Sequence, residues 1–218
     1  MILYGHPFSS YTWKAAIALD EKGLEYDFRM LGPDQPEHGA ELAAAWPLAK
    51  FPVIVDADRP VIESSIIIEH CDLHHPGPRL IPADPQQALQ VRFIDRVFDN
   101  HVMGNMQAVV SEHLPFVTPT PDAARIARAR AALDASYAWL DTALPDADWA
   151  CGDAFTLADC AAAPALFYAD WVHPITAEHE RLRTYRARLL ARPSVVRAVD
   201  GARPYRHFWP LGPAPDRD

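Results

Sequence analysis

Apolar and polar positions follow two rhythms along this chain, and the change of rhythm divides it. Ile2-Leu3-Tyr4 is a short apolar run that reads as a strand. Over Tyr11–Lys22, Thr12, Ala15, Ala16 and Leu19 recur at helical spacing, and Gly23 supplies the stop. Tyr26, Phe28 and Met30 alternate with charged residues, which is strand periodicity. Gly39–Ala45 is a short Ala-rich helix that ends before Pro47. Val53-Ile54-Val55 and Val61-Ile62 flank Asp56–Pro60 as a hairpin, and Ser65–Leu73 is a further helix. The order β-α-β-α-β-β-α predicts a small mixed sheet with helices on its faces.

Pro76, Gly77, Pro78, Pro82 and Pro85 then break the pattern, so residues 76–85 read as a linker. Everything beyond has helical spacing. Gln86–His113 reads as one long helix with a kink near Gly104. Pro121–Leu144 is a second, with Ile126, Ala129, Leu133, Tyr137 and Leu140 on one stripe. Thr156-Leu157-Ala158-Asp159 opens a third with the spacing of a capping box. Ala177–Ala191 and Ser194–Val199 complete the set. The expected architecture is an α/β domain over 1–75, the linker, and an all-α domain over 86–218.

Half of the 218 residues are hydrophobic, which supports a substantial core. The formal net charge is −9, and the lysines are Lys14, Lys22 and Lys50. Such a chain lacks the basic footprint of a nucleic-acid partner or of an anionic membrane surface. No apolar run approaches the ~18 residues of a spanning helix. Cys71, Cys151 and Cys160 show neither metal spacing nor a disulfide framework. An odd count without a secretory leader points to a reducing cytoplasm.

Ser9-Ser10-Tyr11-Thr12 stands where the first strand gives way to the first helix. A thioredoxin-type redox protein carries Cys-x-x-Cys at that turn; serines leave no dithiol to do reduction. Ser9 reads as an N-cap, or as a hydroxyl donating to a bound thiolate beside the positive end of the helix. Ser10 is its near rival, while Tyr4 lies inside the strand and reads as core. Pro52 reads as the start of an edge strand, or as a cis-proline that turns Val53 toward an extended peptide. Ser64 reads as a cap, or with free N–H groups behind it as a carboxylate site. Glu63 beside it suits an ammonium group, so the pair suits an amino-acid headgroup.

Taken together, Pro7-Phe8-Ser9 through Lys14, Lys50-Phe51-Pro52-Val53, Glu63-Ser64 with Ile68, and Phe155-Thr156-Leu157-Ala158-Asp159 resemble the cytosolic glutathione transferase family over essentially the whole chain. The resemblance implies a thioredoxin-like first domain that binds glutathione and a helical second domain that supplies much of the electrophile pocket. It implies Ser9 as the catalytic hydroxyl, Val53 on the cysteinyl backbone, Glu63 and Ser64 on the γ-glutamyl end, and Lys50 with His38 at the glycine carboxylate. It gives Pro52 and Asp159 structural roles. The function it implies is detoxification-type conjugation of glutathione to small hydrophobic electrophiles by a homodimer, with glutathione as co-substrate and no metal. Glutathione-dependent isomerisation or dehalogenation, and a non-catalytic binding or scaffold module, are the alternatives. The chain departs from the family in carrying Trp46-Pro47 where Asn-Pro is common and Ala49 where glycine is usual. Tyr11 stands where zeta-type isomerases have cysteine. Tyr11, Trp13, Met103, Met106, Trp171 and Phe208 are candidates for the electrophile pocket, against the reading that aromatic and Met residues at helical spacing are core. His101, His113 and His173 have no ligand spacing.

Overall fold

The computed structural model describes residues 1–218. Its first part runs β1 (Ile2–Gly5), α1 (Ser10–Glu21), β2 (Asp27–Met30), α2 (Pro36–Ala45), β3 (Val53–Asp56), β4 (Arg59–Ile62) and α3 (Ser64–His74), the order that the apolar pattern predicts. The strands lie in the order β2-β1-β3-β4; β1 is parallel to β2, and the other neighbours are antiparallel. In the register of β1 and β3, Leu3 faces Ile54 and Tyr4 faces Val53. Alternate side chains leave a sheet on opposite faces. Leu3 and Ile54 therefore pack with Ala15 and Leu19 of α1 and Ile67 and Cys71 of α3. Tyr4 and Val53 pack with Leu42 of α2 on the other side.

The second part is helical: α4 (Pro85–Val97), α5 (Gly104–Glu112), α6 (Ala123–Ala143), α7 (Leu157–Val172), α8 (Glu180–Leu190), α9 (Pro193–Ala202) and a closing 3₁₀ turn, Arg203–Phe208. Every residue of α7 is buried, as expected of a helix that is apolar all round. Its start is fixed by Asp159. That carboxylate is fully buried and accepts from the N–H of Thr156 (2.8 Å), the hydroxyl of Thr156 (3.0 Å), the N–H of Ala150 (2.9 Å) and the hydroxyl of Tyr185 (2.6 Å). Burial pushes the Asp159 carboxyl up, and these donors pull it back.

Helix α1 belongs to both parts. Ala15 and Leu19 face the sheet, whereas Trp13, Ile17 and Ala18 enter the core built around α7. The Pro-rich connection is also fastened. Asp72 accepts from the N–H groups of Leu80 (2.9 Å) and Ile81 (2.7 Å), and Lys22 donates to Asp72 (2.8 Å) and to the carbonyl of Pro78 (3.1 Å). Gly77 sits at φ +106°, and a Cβ there would lie 2.5 Å from the Lys22 carbonyl oxygen, so only glycine fits.

The long helix expected over Gln86–His113 is divided. Between α4 and α5, Phe98–Met103 forms a π-helical turn. Such wide turns concentrate at functional sites, and here the turn carries Asp99 and Asn100 to the cleft described next.

Candidate active site

The lead-in to β3, the start of α3 and the exposed face of α4 enclose an open cleft of about 650 Å³. Lys50, Phe51 and Pro52 form one wall, Glu63 and Ser64 a second, and Arg92 and Arg96 a third. The Phe51–Pro52 peptide bond is cis. Glu63 has φ +70° and ψ 121°, a backbone state that costs a non-glycine residue about 1–3 kcal/mol and is found where function demands it. Its side chain does not turn back to cap α3. The first N–H of α3 paired inside the chain is that of Ile67, to the Glu63 carbonyl at 2.8 Å. The N–H groups ahead of it point outward at the positive end of the helix, beside the Ser64 hydroxyl. A carboxylate fits such a terminus, and the exposed Glu63 carboxylate beside it suits a cation.

The start of α1 is built differently. Ser9 is its N-cap, and its hydroxyl oxygen accepts from the N–H of Thr12 at 3.3 Å. Ser9 is half-buried, whereas Ser10 is buried within the first turn. The approach to this turn is held rigidly: Trp13 donates its ring N–H to the Pro7 carbonyl at 2.6 Å, and Tyr168 donates to the Phe8 carbonyl at 3.0 Å. A Cβ on Gly5 would lie 2.5 Å from the Thr12 side chain, which keeps β1 tight against the helix start. Tyr11 lines the cleft. Burial, with the charge of Asp99 second, pushes its phenol up to about 12, so it remains a donor at neutral pH.

Beneath the cleft lies a buried ion cluster that joins α1, α3 and α4. Lys14 Nζ is 2.5 Å from Asp95, 2.7 Å from Asp99 and 2.8 Å from the Ser65 hydroxyl. Ser65 in turn donates to Asp95 at 3.0 Å. Arg96 caps the cluster from outside, donating to Asp95 at 2.6 Å and pairing with Asp99. Two cations thus meet two carboxylates. Burial raises the Asp99 carboxyl, and Lys14 beside it opposes that rise.

Of the residues proposed from sequence, Lys50, Pro52, Glu63, Ser64 and Tyr11 line the cleft together. Ser9 stands at the head of α1 and is not part of its lining. Val53 must be corrected. It is fully buried in β3, opposite Tyr4 of β1 on one flank and Ile62 of β4 on the other, so it has no free edge for an added strand. Phe51, which sequence reasoning passed over, is exposed on the cleft instead. His38 also lies outside the lining; its ring nitrogen Nδ1 pairs with the Met30 carbonyl at 2.8 Å. Four electrophile-pocket candidates are corrected as well. Trp13, Met103, Met106 and Trp171 are buried in the core around α7, where the apolar spacing of their helices takes them. Phe208 is exposed on the closing 3₁₀ turn, with its ring 5.7 Å from that of His6.

Sequence reasoning also missed Arg92, Arg96 and Asn100. A signal was present: they fall at i, i+4 and i+8 along one face of the chain segment that becomes α4 and the π-helical turn.

Known proteins agree with this architecture. Residues 3–79 match the model of the glutathione S-transferase N-terminal domain, and residues 123–188 match that of the C-terminal domain. The chain therefore belongs to the glutathione S-transferase family. It is 26% identical to a probable maleylacetoacetate isomerase of Vibrio cholerae, over 94% of this chain and 97% of that one. It is 28% identical to a stringent starvation protein A homolog of Coxiella burnetii, over 77% of this chain and 75% of that one. A glutathione S-transferase of Methylobacterium radiotolerans, solved in complex with glutathione sulfonate, superposes with a TM-score of 0.77 at 31% identity, covering 91% of this chain and 93% of that one.

Proposed function

We propose that this protein is a glutathione transferase of the serine type. The observation that carries the reading is the convergence of Lys50, Phe51, Glu63 and Ser64 on one cleft. Those groups offer a cation, an exposed residue ahead of β3, an anion and a helix N-terminus. Glutathione has a carboxylate at one end, a peptide backbone in the middle and an amino-acid headgroup at the other.

In this reading the γ-glutamyl carboxylate takes the free N–H groups and hydroxyl at the start of α3, and its ammonium pairs with Glu63. The cysteinyl backbone lies along Phe51, and Lys50 meets the glycine carboxylate. The sulfur then lies toward the start of α1, where Ser9 donates its hydroxyl hydrogen to the thiolate. The Ser9 oxygen keeps its bond from the Thr12 N–H, so capping and donation are compatible. A free thiol titrates near ~8.5, and each unit by which the site lowers it is worth about 1.4 kcal/mol of preference for the thiolate. The thiolate attacks an electrophilic carbon, the new C–S bond forms, and the displaced electrons leave with the departing anion or take up a proton. Catalysis on this scheme is positioning plus thiolate stabilisation. Tyr11, which lines the same cleft as Asn100, faces the electrophile in this scheme. Isomerisation is a second reading, favoured by the similarity to the probable maleylacetoacetate isomerase of Vibrio cholerae.

A homodimer accords with the exposed apolar side chains of Ile66 on α3 and Leu89 and Phe93 on α4. Calorimetry with glutathione, followed by assays against an aryl halide and a maleyl substrate, tests the reading. Saturable binding with turnover of the aryl halide is the expected result. Turnover of the maleyl compound alone selects the isomerase. Binding without turnover of either favours the binding module, and no binding rejects the proposal.

A further inference from the structure

We propose that Asp56, His70 and His75 form a binding site for a divalent late transition-metal ion such as Zn²⁺, at the hairpin end of the first sheet and outside the lining of the cleft. Asp56 is the last residue of β3, His70 lies two turns into α3, and His75 follows the last residue of α3. Three different positions of the chain thus deliver one donor each. His70 Nε2 is 2.8 Å and His75 Nε2 is 2.7 Å from the same Asp56 oxygen, Oδ2. All three donor atoms lie within 4.8 Å of one another.

One feature sets this cluster apart from an ordinary surface contact. A single acceptor would fasten one histidine, but here two imidazoles, one within α3 and one just past its end, turn the same nitrogen to one oxygen. His75 achieves this because its backbone is extended, at φ −125° and ψ 150°, which turns its ring back toward His70. The three side chains are only 13–24% exposed, so their rotamers are restrained yet solvent reaches them. Tetrahedral coordination at Zn–N and Zn–O distances of ~2.0–2.1 Å separates donors by about 3.3 Å. The present pairs need to open by about half an ångström to admit the ion. Each imidazole then binds through Nε2 as its Nδ1–H tautomer. Two imidazoles and a carboxylate select Zn²⁺, Ni²⁺ or Cu²⁺ over Mg²⁺ and Ca²⁺, which demand six or more oxygens. Three protein donors leave at least one position for water.

The location gives the ion a role distinct from the chemistry in the cleft. Helix α3 begins at Ser64, on the cleft, and ends at His74, beside the cluster. At a rise of ~1.5 Å per residue, the two ends are about 15 Å apart. An ion here clamps the far end of α3 to the β3–β4 hairpin.

The test uses the full chain, freed of any histidine tag and of glutathione. Calorimetric titration with ZnCl₂ should give one equivalent per chain. Asp56→Asn and His75→Gln should each weaken binding at least tenfold, whereas His101→Gln should not change it. Millimolar MgCl₂ should not displace the ion. The ion should raise the melting temperature of the native chain and not that of the variants. Should the variants fold poorly, the native chain alone decides. Co²⁺ should give tetrahedral d–d absorption without a thiolate charge-transfer band, and the imidazole nitrogen resonances of His70 and His75 should shift on Zn²⁺ addition. Absence of one-equivalent binding, binding unchanged in Asp56→Asn and His75→Gln, or shifts confined to other histidines or cysteines would each overturn the proposal.

Discussion

Two helices begin at the same end of the molecule, and their first turns are finished in opposite ways. At α1 the Ser9 hydroxyl closes the turn by accepting from the Thr12 N–H. At α3 the Glu63 side chain leaves the turn open, and its backbone is held at a positive φ. A closed terminus contributes to folding; an open one holds its N–H groups ready for an anion. The difference teaches where each part of a ligand belongs. In the proposed reading, headgroup recognition falls to the open turn, while the closed turn offers one hydroxyl hydrogen. Lys14 ties the two turns together, because it reaches Ser65 in α3 from its place in α1.

The comparison breaks most severely if that tie is cut. Lys14→Met leaves the buried Asp95 and Asp99 with Arg96 as their one remaining cation, and removal of one partner from such a cluster costs about 3–5 kcal/mol. Urea denaturation should register that loss, and glutathione binding should fall because both turns shift. A variant with native stability would show that Arg96 alone holds the two carboxylates.

Next in size is the open turn. Ser64→Ala should weaken glutathione binding by about 1–3 kcal/mol, as for a charged group deprived of a hydrogen bond. Its effect on stability should be small. Calorimetry and thermal melting on the same preparation separate the two. Equal affinity would remove the α3 terminus from the site.

The closed turn should respond in the reverse sense. Ser9→Ala removes a cap, worth about 0.5–2 kcal/mol of stability. Glutathione affinity should stay near that of the native chain, while the transferase rate falls and the apparent pKa of the bound thiol rises in an ultraviolet titration. A variant that loses stability but keeps its rate would leave Ser9 as a cap alone.

The smallest expected effect is the sharpest. Glu63→Gly relieves the positive-φ backbone yet adds freedom to the unfolded chain, so stability should change by no more than about 1 kcal/mol. Glutathione affinity should drop all the same, because the carboxylate is gone. A chemical melt set against a binding isotherm reads both. A marked gain in stability with affinity retained would mean that the strain at Glu63 serves neither folding nor binding.

Much of this arrangement could be read from the residues in order. Period-two alternation gave β2, and helical spacing gave α1 and α6, because each buries a single face. Glu63-Ser64 could be recognised as a special helix start because local chain chemistry determines it. Val53 was misjudged for a topological reason: whether a strand is internal or at an edge depends on which strand pairs with it, and β4 arrives from later in the chain. For Trp13, Met103, Met106 and Trp171 core and pocket stand as rival readings in the sequence, because an apolar side chain looks the same facing a core or a cleft. The π-helical turn at Phe98–Met103 left no local signal, since it accompanies the long-range pairing of Lys14 with Asp99. Asp56, His70 and His75 are spaced too irregularly for a ligand motif; only the packing of α3 against the hairpin brings them together.

The double allegiance of α1 has a consequence for how the protein is made. As the chain leaves the ribosome, Ala15 and Leu19 find their sheet within the first 75 residues, but Trp13, Ile17 and Ala18 await α7. At synthesis rates of ~5–20 residues per second, that wait lasts roughly ten to thirty seconds. During that time the nascent first half presents a sticky stripe to solvent, and it is then a natural client for a chaperone. Release from that dependence comes only when Leu157–Val172 has emerged and closed over the stripe.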